Sequence, residues 1–176
     1  IKDALLQTYT TLKPKLGDFV HVVPFTTDGK NPHVLETKDF FAGIESAAPG
    51  ALIRSFNPLY TIVVHGWSTD GMAFIFKTDS YENAFTQMLV WEPDMFDELY
   101  RMFGIDVSGE NSSIFSTRFK DKVIKNQDTR ALVNAKGAPV FFYTFLGEQK
   151  NLLVITNSES TLEEIVRRLT ASTLKR

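Results

Sequence analysis

Residues 34–89 and 114–169 of this 176-residue chain lie over one another at a constant offset of 80, without a gap. Internal repetition constrains a fold before any motif does, because each copy must supply one supersecondary unit and the copies must bury their apolar faces together. The strict identities in this frame are Thr37/Thr117, Ile44/Ile124, Ala51/Ala131, Leu52/Leu132, Ile75/Ile155, Ser80/Ser160 and Leu89/Leu169. Conservative pairs such as Val34/Ile114, Lys38/Arg118, Ile53/Val133, Asp79/Glu159 and Phe85/Ile165 fall in the same frame. The contrary reading is that two hairpin-plus-helix units arise in any compact α/β chain of this size, since such local pairings are common.

Turn and period signals then order the elements. Residues 2–8 predict a helix closed off by Pro14 and Gly17, and Phe19-Val-His-Val-Val predicts a strand stopped by Pro24. Thr26 to Pro32 is turn chemistry. In the first copy, Thr37 is the expected N-cap of a helix bearing Phe40, Phe41 and Ile44 at helical spacing. A strand is expected over residues 51–56, then a hairpin from Tyr60 to Lys77 around Ser68-Thr-Asp-Gly. Its second strand, Met72 to Phe76, is apolar on both faces, which predicts a central place under helices. A helix from Ser80 to Trp91 and a second from Glu92-Pro93 to Gly104 form a helical joint. The second copy predicts a helix from about Arg118 to Asn126, a strand at 130–134 and a hairpin from Val140 to Asn157. It ends in a helix opened by the capping box Ser160-Thr-Leu-Glu163. The expected fold is α+β: two similar β-α-β-β-β-α units joined by a helical pair, with a mainly antiparallel sheet covered by helices and a pseudo-two-fold between the copies. The expected divisions are 1–33, 34–90, 91–113 and 114–171, all within one compact domain.

Composition bounds the chemistry. With no cysteine in the chain, disulfides, thiolate metal sites and cysteine nucleophiles are excluded. Fifteen phenylalanines predict a Phe-rich core. The net charge of −2 gives no general case for nucleic acid or an anionic membrane. Residues 1–113 carry 8 basic and 15 acidic side chains, whereas residues 114–176 carry 11 and 6. No apolar run approaches the ~20 residues of a membrane helix. The chain starts at Ile1, and an anchor or signal segment upstream of it is expected.

No motif fixes a reaction. His21, His33 and His65 have no ligand spacing, and neither a phosphate-binding glycine loop nor a nucleophile elbow is present. Neither metal nor cofactor is expected, and no residue is assigned a catalytic role. Asp94, Asp97 and Glu98 read as helix-start carboxylates favoured by the dipole. Arg118, Lys120, Lys122, Lys125 and Arg130 form the one basic stretch, interrupted by Asp121 and Asp128. Val123 and Ile124 give it an ordinary amphipathic face, so nucleic acid is not expected as a partner. Trp67 sits at a hairpin turn near His65 and Tyr60. With Trp91 these residues mark a candidate contact patch; the bland alternative is that Trp67 covers the edge of the core. Asn111-Ser-Ser is a formal glycosylation acceptor.

The run from Phe76 to Leu99, with Phe142-Tyr-Thr-Phe and Leu153-Val-Ile-Thr-Asn-Ser-Glu-Ser-Thr-Leu-Glu-Glu-Ile, resembles a group of uncharacterised, predicted membrane-anchored proteins of candidate-phylum bacteria. The likeness covers most of residues 34–170 and carries over no catalytic residue. It implies a single N-terminal membrane helix ahead of an extracytoplasmic domain. The expected function is therefore a non-catalytic binding or assembly module with a protein partner, self-association included. The alternatives are a small-molecule-binding domain with a pocket between the copies and, behind it, a hydrolase-type enzyme.

Overall fold

Successive side chains of a strand point to opposite faces of a sheet, so a strand that is apolar at every position must be covered on both sides. Met72-Ala-Phe-Ile-Phe is such a run, and Val140 to Leu146 is one but for Thr144, whose hydroxyl donates to the Asp128 carbonyl; the architecture follows from them. The computed structural model describes residues 1–28, 31–66 and 71–173. In chain order the elements are helix α1 (Lys2–Thr11), strand β1 (Phe19–Val22), the hairpin β2 (Phe25–Asp28) and β3 (Asn31–Val34), helices α2 (Thr37–Gly43) and α3 (Gly50–Ser55), and strands β4 (Phe56–His65) and β5 (Gly71–Thr78). Helix α4 (Tyr81–Leu99), strands β6 (Lys120–Ile124), β7 (Gln127–Val133), β8 (Pro139–Leu146) and β9 (Leu152–Thr156), and helix α5 (Glu159–Thr173) complete the chain.

Seven strands form one antiparallel sheet in the order β1-β4-β5-β9-β8-β7-β6. The hydrophobic side chains divide by parity. Ile62, Val64, Phe74, Phe76, Phe141, Tyr143, Leu153 and Ile155 face a large core roofed by α1, α2, α3 and α4. Val63, Ala73, Phe142, Leu146 and Val154 face a smaller core covered by Leu162 and Ile165 of α5. The α+β class and the mainly antiparallel sheet are as the sequence predicts. So is the Phe-rich core, in which Phe40, Phe41, Phe56, Phe74 and Phe76 lock in edge-to-face and stacked pairs.

The repeat does not extend as far as the sequence frame suggests. Hairpin plus helix occurs twice, as β4-β5-α4 and β8-β9-α5, but what precedes them differs in kind. Residues 51–56 are largely the helix α3 where a strand is expected, and residues 120–124 are the strand β6 where a helix is expected. Lys125 and Asn126 both have positive φ, which makes a two-residue turn into β7 and removes the helical reading of the basic stretch. The pseudo-two-fold is also absent. β5 and β9 are adjacent and antiparallel, pairing Ile75 with Val154. A two-fold between adjacent antiparallel strands stands perpendicular to the sheet and keeps α4 and α5 on one face. They cover opposite faces. In the 80-residue frame Phe74 matches Val154, yet the two point to opposite cores. An internal duplication is therefore not confirmed.

Three local expectations are corrected as well. The helical pair is one continuous 19-residue helix with Pro93 inside it. Its apolar stripe of Met88, Trp91, Met95, Phe96 and Leu99 runs unbroken past the proline, and burial of that stripe outweighs the lost hydrogen bond. Thr37 does not cap α2. It lies in the first turn and is buried, and its hydroxyl donates to the carbonyls of Asn57 and Pro58 at 2.7 and 3.0 Å, where β4 shifts register against β5. At α5 the capping oxygen belongs to Ser158, which accepts from the Thr161 amide at 3.3 Å, two residues ahead of the expected Ser160.

Candidate functional site

Concavity arises where α4 ends its cover of the sheet. The helix crosses above β8 and β7, and the chain then returns through residues 114–119 before entering the edge strand β6. Between them lies a groove of about 710 Å³, within the ~300–1,000 Å³ of small-molecule sites. One wall is α4, with Leu89, Pro93, Phe96 and Asp97; the other is Phe115, Ser116, Thr117 and Arg118. Leu132, Phe119, Glu92 and Arg130 make the floor.

The floor is polar but closed upon itself. Arg130 donates from Nε and one terminal nitrogen to the two oxygens of Glu92, both at 2.7 Å, and its other donors reach Asp121 at 3.1 Å and the Phe119 carbonyl at 3.2 Å. The Tyr143 hydroxyl donates to Glu92 at 2.8 Å. These bonds to Glu92 hold the Arg130 guanidinium further above its already high range, and burial together with the Glu92 charge pushes the Tyr143 phenol up. Both groups keep fixed protonation states near neutrality, so the network is a neutral, rigid base and not an acid–base pair. A second, shallower hollow of about 220 Å³ lies on the far side of Arg130, between Tyr81, Phe85 and the β6–β7 turn.

The sequence-derived residues scatter around this geometry. Trp67 lies outside the described residues. Trp91 belongs to the core, 1% exposed, and its indole donates to Glu98 at 3.1 Å; it is no part of a surface. Tyr60 stacks on Phe76 beside Phe40, its buried hydroxyl has no hydrogen-bond partner among the described residues, and burial raises its pKa. His65 is 3% exposed under α5, with Nδ1 3.4 Å from the Thr161 hydroxyl, and burial lowers its pKa. Tyr60, His65 and Trp91 do not form one contact patch, because the alternation of β4 and the inward stripe of α4 bury most of their surface.

The basic stretch is divided too. Strand parity sends Arg130 and its partner Asp121 to the α4 side, while Lys120 and Lys122 share the opposite side with Ile124. Lys122 donates to the Gly137 carbonyl at 2.6 Å, and Lys125 pairs with Glu163 of α5 at 2.9 Å. Of the five cations, Arg118 and Arg130 line the groove. Glu92, Tyr143, Phe115 and Asp97 carry its chemistry without having been singled out as such. Their one sequence signal is Pro93 inside an apolar helical pattern, a residue that lines the groove. Among the described residues no group of three or more His, Asp or Glu side chains is placed to hold a metal ion, and no helix is long and apolar enough to cross a membrane.

Comparison with known protein families, with characterised proteins and with solved structures found no match to this chain.

Proposed function

We propose that this chain is a binding domain without a reaction of its own, and that the groove between α4 and residues 114–119 is its binding site. The observation that carries the reading is the groove itself: concave, walled by Phe96 and Phe115, and floored by charges that already neutralise one another. Against an enzyme stands the placement of the titratable groups. The groove holds no histidine, Glu92 is engaged by Arg130 and Tyr143, and His65 lies beneath α5 on the other face of the sheet. The site is concave and lies between α4 and residues 114–119, which favours the small-molecule-binding alternative over a flat assembly surface.

Titration of the ¹⁵N-labelled protein with a mixed library of small polar and aromatic compounds tests this. Binders are expected to shift amides of residues 89–97 and 114–119 together; a library whose binders all map elsewhere would sink the assignment. On the resemblance to membrane-anchored proteins we further propose display outside the cytoplasmic membrane on an upstream tether. Since residues 1–176 hold no cysteine, Ser112→Cys in the full-length protein adds one reporter thiol to this domain, read against the unsubstituted protein as the blank. Labelling by a membrane-impermeant maleimide in intact cells is expected, and labelling only after lysis would refute the topology.

A further inference from the structure

Two side chains of opposite charge line the groove without being paired. Asp97 projects from α4 and Arg118 from the opposite wall, both exposed. Neither forms a hydrogen bond or salt bridge with a described residue; Arg101, which feels the Asp97 charge, hydrogen-bonds Tyr100 instead. Glu92 and Arg130 below them are, by contrast, committed to each other, Glu92 also to Tyr143 and Arg130 also to Asp121 and the Phe119 carbonyl. Between the two unpaired charges stand Phe96 and the half-exposed Phe115, their rings 5.3 Å apart, with Leu132 beneath. A third feature lies on the same wall. Pro93 has no amide hydrogen, so it leaves the Leu89 carbonyl without its helical donor, and both residues line the groove.

Each feature selects among ligands. A polyanion such as nucleic acid meets one unpaired cation and a carboxylate facing it. A wholly apolar ligand leaves both charges idle at the walls of the groove. A molecule with a cationic end, an anionic end, a large apolar side chain between them and an amide N–H uses everything present. We propose, resting on the reading of the groove as the binding site, that it takes a short peptide with free termini and a large apolar side chain. Asp97 receives the ammonium, Arg118 the carboxylate, Phe96 and Phe115 hold the side chain, and the Leu89 carbonyl accepts the peptide N–H. Charge-assisted contacts of this kind carry specificity because both ends must be met at once.

Calorimetry with leucyl-phenylalanine and its N-acetyl, C-amide and doubly capped forms tests the proposal. The free dipeptide is expected to bind, and each cap to weaken binding by about tenfold. Asp97→Asn is expected to erase the penalty of acetylation and leave that of amidation; Arg118→Gln is expected to do the reverse. Both positions are exposed, and circular dichroism checks that the variants stay folded. Equal affinity for all four forms, with the same groove amides shifting, would overturn recognition of the termini and leave the groove as a binding site. Absence of binding by the free dipeptide at millimolar concentration would overturn the ligand class, and the compound library would then decide whether the groove binds anything.

Discussion

At the scale of single residues, the two most consequential side chains are a carboxylate and a guanidinium that the fold holds against each other. Glu92 and Arg130 are 13% and 20% exposed as side chains, and each satisfies the other. Removing Glu92 leaves Arg130 with only the exposed Asp121 carboxylate and the Phe119 carbonyl, and breaking a poorly solvated pair typically costs about 3–5 kcal/mol. Glu92→Ala is therefore expected to lower the unfolding free energy in urea by about 3 kcal/mol, and the double variant Glu92→Leu/Arg130→Met to recover most of it. A loss below about 1 kcal/mol for the single change would show the pair to be solvated like any surface bridge. His65 works in the opposite sense. Its partners include the Thr161 hydroxyl and the Phe19 ring at 5.7 Å, with Glu164 and Arg168 of α5 contributing weaker opposing charge effects. Burial holds its pKa below the ordinary value of about 6.5, so the unfolded chain binds the proton more readily. Stability is then undiminished above about pH 6.5 and falls as pH drops through and below that value, toward the lower pKa of the folded state. Unfolding midpoints measured from pH 8 to pH 5 are expected to decline in this window, and His65→Gln to flatten the decline. An unchanged slope in the variant would assign the effect elsewhere.

At the scale of elements, α4 is the piece where stability and binding pull apart. A proline deep in a helix removes one backbone hydrogen bond and costs roughly 3 kcal/mol in an ordinary context. The buried stripe of Met88, Trp91, Met95 and Leu99 holds the helix together regardless. Pro93 is itself exposed, so no core packing is lost when it is replaced. Pro93→Ala is expected to raise the melting temperature while weakening binding of the free dipeptide, because the restored amide takes the Leu89 carbonyl back into the helix. A variant that melts higher and binds as before would show that this carbonyl plays no part in recognition. The β6–β7 hairpin teaches a different lesson. Its basic residues look like an amphipathic helix because Val123 and Ile124 are adjacent, a spacing that helix and strand both tolerate over short runs. What turns them into an edge strand is the pairing of Lys120 with Ala131 and of Asp121 with Arg130.

At the scale of the whole molecule, one sheet joins two unequal cores, and α5 is the main cover of the smaller. It seats tightly: a β-carbon built at Gly71 falls 2.1 Å from the Thr161 hydroxyl and 2.5 Å from the Ser158 β-carbon, so the start of α5 rests directly on the β4–β5 hairpin. Val63, Phe142 and Val154 lie under it, essentially unexposed. Since the same strands carry both cores, loss of one face should loosen the other. A chain truncated after Ser158 is expected to bind the dye ANS and to lose near-ultraviolet circular dichroism while keeping much of its far-ultraviolet signal. A truncated chain with native near-ultraviolet signal would mean that the larger core stands alone.

What the sequence by itself determined is local and compositional. The apolar runs of β4, β5, β8 and β9, the helical stripes of α4 and α5, the Phe-rich core and the exclusion of thiol chemistry all follow from residue type and spacing, which neighbours in the chain suffice to express. Tertiary structure alone decided which face each helix covers, that residues 50–55 are helical while residues 120–124 are extended, and that the candidate aromatic and basic residues part company. These depend on which strands become neighbours, and the central β5–β9 pairing joins residues about 80 positions apart. The groove belongs to this second class: Asp97, Arg118, Glu92 and Arg130 converge because a helix, a returning loop and a sheet floor meet there, and no spacing in the chain encodes that meeting.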